Sequence, residues 1–237
     1  MPLGTESYWG WHRFPNPENY KPEEALKEYS PEGRPVKYSV QWKSPERNRK
    51  ASDYFRINPH RLQLGNIGLN IFKKNGQPAA IEDIRDIEQT LTMWTGELRS
   101  RFTVEQVPVE VVTYVHQQQD LVAVRVNSPL IKEKRLQIRV RFPYPTGDFK
   151  DAGASYLNPE KHISVIEDKS QHGAVISHTL DTTRYFLMMH WSGEAAVHKE
   201  QPHDYFIVPA DNGTMFEASF RFSPEKIRKR CRLSKRR

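Results

Sequence analysis

The sequence predicts an all-β, antiparallel sandwich, preceded by an irregular segment that contains a short helix. Three observations carry that prediction. Apolar and polar residues alternate over many short runs, glycine-containing turns separate the runs, and no helical pattern lies between them. The chain has 237 residues, enough to bury roughly two thirds or more of the surface that an unfolded chain of this size exposes.

Residues 1–59 are rich in Pro, Asn, Glu and aromatic residues and show little sustained periodicity. Pro22 suits a helix start and Pro31 lies just past a helix end, so a short helix is expected at Pro22–Tyr29 with long loop around it. From residue 60 to residue 223 the period becomes two. Leu136, Ile138, Val140 and Phe142 alternate with Arg135, Gln137, Arg139 and Arg141, which describes a strand with one buried and one cationic face. Similar alternation runs through Val107–Val115, Val122–Val126, Tyr185–Trp191 and Phe216–Phe222. Turn signals stand at Lys74-Asn75-Gly76, Thr95-Gly96, Pro145-Thr146-Gly147 and Asp211-Asn212-Gly213. Gly65 and Gly68, inside an apolar run, read as a strand bend or bulge. The stretch from Ile81 to Leu98 fits helix spacing through Ile84, Ile87, Leu91 and Trp94, and strand spacing through Ile87, Gln89, Leu91 and Met93. Its β-branched content and the Thr95-Gly96 turn favour a hairpin.

The net charge of +7 belongs to the end of the chain. Residues 226–237 hold eight of the 36 basic residues and no acid, and the rest of the chain carries 28 basic against 29 acidic side chains. Residues 224–237 therefore form a basic tail, expected to be disordered. Clustered cations attract phosphates, which gives the alternative reading of a free-standing interaction module whose tail binds nucleic acid; the body is near neutral, so nucleic acid is not the expected partner. No apolar run reaches the roughly 20 residues of a membrane span, and the first thirty residues hold no apolar signal core. A single Cys231 leaves no intrachain disulfide and no cysteine-built metal site.

The sharpest local feature is the cluster from Tyr8 to Asn16. Flat aromatic faces suit the C–H face of a sugar ring, which makes Trp9 and Trp11 candidates for carbohydrate contact. His12, Arg13 and Asn16 are candidates for the hydrogen bonds at the ring's edge. The competing reading is that both tryptophans pin an irregular segment onto the sandwich. Glycoside cleavage requires two carboxyl groups about 5–10 Å apart, one of them protonated. Glu82, Asp83, Asp86 and Glu88 are dense but read as a solvated face, so no catalytic residue is assigned. Nine histidines, including His178 and His190, show no HExxH or His-x-His spacing. No metal ligand and no cofactor is expected. Arg135, Arg139 and Arg141 read as a solvated sheet surface.

Taken together, several motifs resemble one family. They are Trp9-Gly10-Trp11-His12 with Phe14-Pro15-Asn16; Asn58-Pro59-His60-Arg61 running on to Gly65-Asn66-Ile67-Gly68; the hairpin Ile87–Phe102 with Trp94-Thr95-Gly96-Glu97; the strand Val107–His116; Arg141-Phe142-Pro143-Tyr144-Pro145-Thr146-Gly147; Leu180-Asp181-Thr182-Thr183; and Phe220-Arg221-Phe222-Ser223. The set is similar to the N-terminal region of bacterial six-hairpin glycosidases, the glycoside hydrolases and phosphorylases related to families 65 and 95. The resemblance implies a β-supersandwich of the galactose-mutarotase type that packs on an α/α-barrel catalytic domain, the barrel carrying the catalytic carboxylates. The expected partner is thus that barrel, with oligosaccharide as a candidate ligand. The chain departs from the family in three respects. The resemblance leads one to expect further sandwich strands before Met1, a barrel after the sandwich, and a linker where the basic tail stands. Thr92 also occupies a position where related hairpins often have Asp. A non-catalytic role, a fragment of a larger protein and one uncovered apolar surface are the corresponding expectations.

Overall fold

The structure, a computed structural model, describes residues 3–147, 155–210 and 213–226. Strands β1 (Leu3–Thr5), β2 (Trp11–His12), β3 (Leu26–Tyr29) and β4 (Val36–Ser39) precede helix α1 (Glu46–Ile57). Then come β5 (His60–Arg61), β6 (Gly65–Ile71), β7 (Ile84–Thr92), β8 (Glu97–Val104), β9 (Val107–Val115) and β10 (Leu121–Asn127). A one-turn helix α2 (Pro129–Lys132) leads into β11 (Leu136–Arg141), β12 (His162–Ser170), β13 (Gly173–Leu180) and β14 (Thr183–Trp191). The last strands are β15 (Ala195–Gln201), β16 (Asp204–Pro209) and β17 (Met215–Ser223).

Two sheets make the sandwich. The smaller has the order β1-β6-β11-β16-β15, the larger β12-β13-β14-β17-β10-β9-β8-β7, and the pairings between neighbours are antiparallel. The fold is an all-β antiparallel sandwich. Its cause is visible in β11, where Leu136, Ile138 and Val140 are buried and Gln137, Arg139 and Arg141 are half-buried on the opposite face. Strand β17 repeats the pattern through Phe216, Ala218, Phe220 and Phe222. These side chains meet Tyr185, Leu187 and Trp191 of β14 and Tyr205 and Ile207 of β16 in one core. Each large apolar side chain so buried contributes about 1.5–3 kcal/mol.

The stretch from Ile81 is a hairpin, β7–β8, closed by the turn at Gly96, which adopts φ +68°. The β-branched content decides correctly here. At Pro22 the expected helix is a single 3-10 turn, Pro22–Ala25, and Leu26–Tyr29 instead forms β3, paired with β4. The longer helix lies later, at α1. It carries few apolar residues, and ion pairs one turn apart, Glu46–Lys50 at 3.0 Å and Arg49–Asp53 at 3.2 Å, lie along its exposed side. Gly65 and Gly68 sit in a strand of regular register with β11, without a bulge. A Cβ at Gly65 would make ordinary van der Waals contact with the Phe222 ring, at 3.4 Å. Strand β1, from the irregular segment, pairs with β6 and extends the smaller sheet. No helix among the described residues is long and apolar enough to cross a membrane.

Candidate functional site

The segment from Tyr8 to Asn16 crosses one end of the sandwich as a strap. Pairing of β2 with β5 sets its two residues on opposite sides: Trp11 faces out and His12 faces in. Trp11 donates its indole N–H to the Tyr8 carbonyl at 2.9 Å, and the Arg61 guanidinium lies 4.8 Å from its ring centre. His12 is buried, with Nδ1 2.9 Å from Thr183 Oγ1 and Nε2 3.1 Å from Asp181 Oδ2. Burial lowers its pKa below the ordinary imidazole value, and Asp181 restores part of the difference. Trp9 donates to Asp120 Oδ2 at 2.8 Å and packs 6.1 Å from the Tyr185 ring. Asn16 closes the loop to Tyr20, accepting from its N–H and donating to its carbonyl. Arg13 is exposed. Four of the five nominated residues thus have separate partners, and Trp9, His12 and Asn16 use their polar atoms inside the protein.

The same contacts bring together the motifs that carry the family resemblance. His12 reaches Asp181 and Thr183, the Phe14 N–H donates to Asn58 Oδ1 at 2.8 Å, and Phe14 lies 3.4 Å from where a Cβ on Gly147 would be. Tyr185 donates its hydroxyl to the Leu64 carbonyl at 2.6 Å. These motifs hold strap and sandwich together.

Directly behind this strap is a group of chemistry-bearing side chains that the sequence did not nominate as a set. His162 opens β12, His178 lies near the end of β13, and His203 sits in the turn between β15 and β16. All three are buried, and one ring nitrogen of each lies within 4.8 Å of those of the other two. His162 Nδ1 is 2.7 Å from His178 Nε2, and the His162 and His203 rings stack at 3.6 Å. His203 Nε2 donates to the Pro159 carbonyl at 2.8 Å, which leaves Nδ1 as the acceptor for Ser164 Oγ at 2.8 Å. Ser164 in turn accepts from the Tyr205 hydroxyl at 2.8 Å. Phe142 stacks on His178 at 4.9 Å, and Tyr185 meets the same ring edge-on at 4.9 Å. His178 Nδ1 is buried without a partner.

Burial and the neighbouring His203 push the His162 pKa down to about 4, and burial lowers those of His178 and His203. All three imidazoles are therefore neutral near pH 7 and carry lone pairs, the form that binds a metal ion. The Ser164–His203 contact has the distance of a nucleophile and its base. It is enclosed, however, and the group orienting His203 is a backbone carbonyl. Ser164 is 3% exposed and His203 6% exposed.

The remaining nominated residues are engaged elsewhere. Arg135 is buried between Glu105 and Glu133, and Arg139 and Arg141 both face Asp204. Arg141 also lies 3.4 Å from the centre of the Tyr156 ring. That cationic face is internally paired, which corrects its reading as simply solvated. Asp83 accepts from the Ala80 N–H and pairs with Lys73, Asp86 accepts from Thr103, and Glu82 and Glu88 are exposed. His190 is exposed on β14. Residues 227–237 of the basic tail lie outside the described residues. Two surface hollows, about 680 Å³ beside Tyr29 and Tyr38 and about 310 Å³ beside Asp86, Arg101 and Asn127, contain none of the five candidates for carbohydrate contact.

No family model and no curated protein matches the chain. A solved structure described as "Putative kojibiose phosphorylase from human microbiome" superposes with a TM-score of 0.44 at 10% identity. The superposition covers 69% of this chain and 23% of that one, so the chain spans less than a quarter of that protein's length.

Proposed function

We propose that this chain is a non-catalytic sandwich of the six-hairpin glycosidase type, which leans on a catalytic α/α barrel and can contribute carbohydrate contacts. The observation that carries this reading is the β7–β8 arm. Strand β7 is the outer edge of the larger sheet, no residue along it is buried, and Ile87, Leu91, Met93 and Trp94 open to solvent. Trp94, at the tip, is 98% exposed. Apolar groups gathered on a free sheet edge mark a protein contact and, uncovered, a route to self-association.

The acids support the non-catalytic part. Every described carboxyl with a resolved shift in proton affinity is shifted down: Glu24, Glu46, Asp83, Glu97, Glu110 and Glu167. Glu167 is held at about 2 by hydrogen bonds from Lys226 and Ser177. The protonated acid of a glycosidase needs the opposite shift. Trp11 and Arg13 remain the exposed candidates for oligosaccharide contact.

Light scattering across a concentration series tests the docking arm. The wild-type chain is expected to self-associate, and a variant carrying Met93→Ser and Trp94→Ser is expected to be monomeric under the same conditions. A wild-type chain that stays monomeric at every concentration contradicts the reading.

A further inference from the structure

We propose that His162, His178 and His203 bind one zinc ion, which staples the edge of the larger sheet to the smaller sheet. This goes beyond the docking role, since the cluster lies inside the sandwich and away from the β7–β8 arm.

The ligand set comes from three separate elements. His162 and His178 belong to adjacent strands of the larger sheet, and His203 belongs to the turn entering β16 of the smaller one. A shared ion would tie these elements together where β12 has no further strand on its outer side. Three imidazoles form a borderline-soft donor set, suited to zinc, and leave a fourth position open. Ser164 Oγ, 2.8 Å from His203 Nδ1, is the adjacent oxygen that could fill it or hold a water there.

One of the three rings is already oriented by the backbone. His203 donates Nε2–H to the Pro159 carbonyl, which fixes its tautomer and puts the lone pair on Nδ1, where an ion would displace the hydrogen bond from the Ser164 hydroxyl. This is the arrangement in which a metal-binding histidine is oriented by a backbone acceptor. With zinc–nitrogen bonds of about 2.0–2.1 Å, ligand nitrogens in a tetrahedral site stand about 3.4 Å apart. The 2.7 Å contact between His162 and His178 therefore opens by about 0.7 Å when an ion replaces their shared proton.

Hydrogen bonding alone accounts poorly for the cluster. His178 is 1% exposed, its Nε2 faces His162, and its Nδ1 has no partner, so the site carries the cost of a buried unpaired nitrogen with or without an ion. Apolar residues of similar volume would fill the same space without that cost. Three imidazoles converging in an aromatic core are explained by a ligand that needs their lone pairs.

The experiment uses the full chain, stripped with a chelator and then titrated with zinc while thermal unfolding, metal stoichiometry and the visible spectrum of a cobalt-substituted sample are recorded. Expected are one ion per chain, intense cobalt bands typical of four-coordination, and a rise in Tm of about 5–10 °C at a hundredfold excess over the dissociation constant. Magnesium and calcium, which prefer oxygen ligands, should leave Tm unchanged. His178→Ala and the more conservative His203→Gln should each abolish the cobalt bands, whereas His190→Ala, at an exposed site, should keep them. The proposal is overturned if zinc gives neither stoichiometric binding nor a Tm rise with the wild-type chain. It is equally overturned if binding survives in both His178→Ala and His203→Gln.

Discussion

Asp204 faces two arginines across the outer side of β11, and replacing it tests whether that face is structural. Its carboxylate is 2% exposed. Arg139 donates to both of its oxygens, at 2.9 and 2.5 Å, and Arg141 stands 3.6 Å away. The Arg139 guanidinium is more firmly protonated for this reason, whereas burial and the neighbouring Arg139 pull the pKa of Arg141 down. Asp204→Asn keeps the shape but removes the charge, leaving two guanidinium groups opposed to a neutral amide. Breaking a buried pair in this way costs about 3–5 kcal/mol. Both arginines keep roughly a third of their side-chain surface in water, which screens the loss to about 2–3 kcal/mol. For a domain of this size the fall in Tm is about 6–9 °C. Urea unfolding of Asp204→Asn, Arg139→Met and the double variant would measure it. The double variant should recover more than half of the loss from Asp204→Asn. An Asp204→Asn protein within about 0.5 kcal/mol of wild type would refute the argument.

Other consequences are simpler. Gly173→Ala would place its Cβ 2.6 Å from the Met189 carbonyl, so unfolding should show a loss of about 1–3 kcal/mol, against less than about 1 kcal/mol for Gly65→Ala, whose Cβ makes only ordinary contact with Phe222. Trp9→Phe removes the bond to Asp120 but keeps the packing, so a loss of about 1 kcal/mol is expected in the same assay. His12 has a folded pKa below that of the unfolded chain, so its contribution to stability is complete above the ordinary imidazole pKa and is lost as pH falls through the lowered value. His12→Gln should therefore flatten the fall in Tm between about pH 7 and pH 5, and a parallel profile would count against that role. Calorimetry with a panel of oligosaccharides should lose any heat on Trp11→Ala; heat that persists unchanged moves the sugar contact away from the strap.

Much of the fold was legible because period-two alternation is a direct image of a half-buried strand. Leu136–Phe142, Tyr185–Trp191 and Phe216–Phe222 all became strands of the sandwich, and the ambiguous stretch after Ile81 became the hairpin its β-branched residues favoured. Helix α1 was missed because it buries little beyond Ala51 and Ser52. Its signal lay in the charges, Glu46 with Lys50 and Arg49 with Asp53, which apolar periodicity does not register. Leu26–Tyr29 was misread because the prolines at 22 and 31 mark the ends of a segment without saying what lies between them. The aromatic strap was visible as a cluster, but pairing with β5 decided which side each residue faces, and that pairing is not local. The histidine cluster was hidden for a related reason. His162, His178 and His203 lie 16 and 25 residues apart, and only the β12–β13 register and the placement of one sheet over the other bring them together. Ligand spacing within one segment could not reveal them, although buried positions for His162 and His178 in alternating strands were a usable hint.

The most direct measurement of the central claim is turnover by the purified chain on a panel of aryl glycosides, with and without inorganic phosphate. A sandwich whose resolved carboxyl shifts all favour the ionised form should release no aglycone above the buffer rate in either condition. Release that depends on the protein, and that disappears when one carboxyl is changed to its amide, would contradict the account.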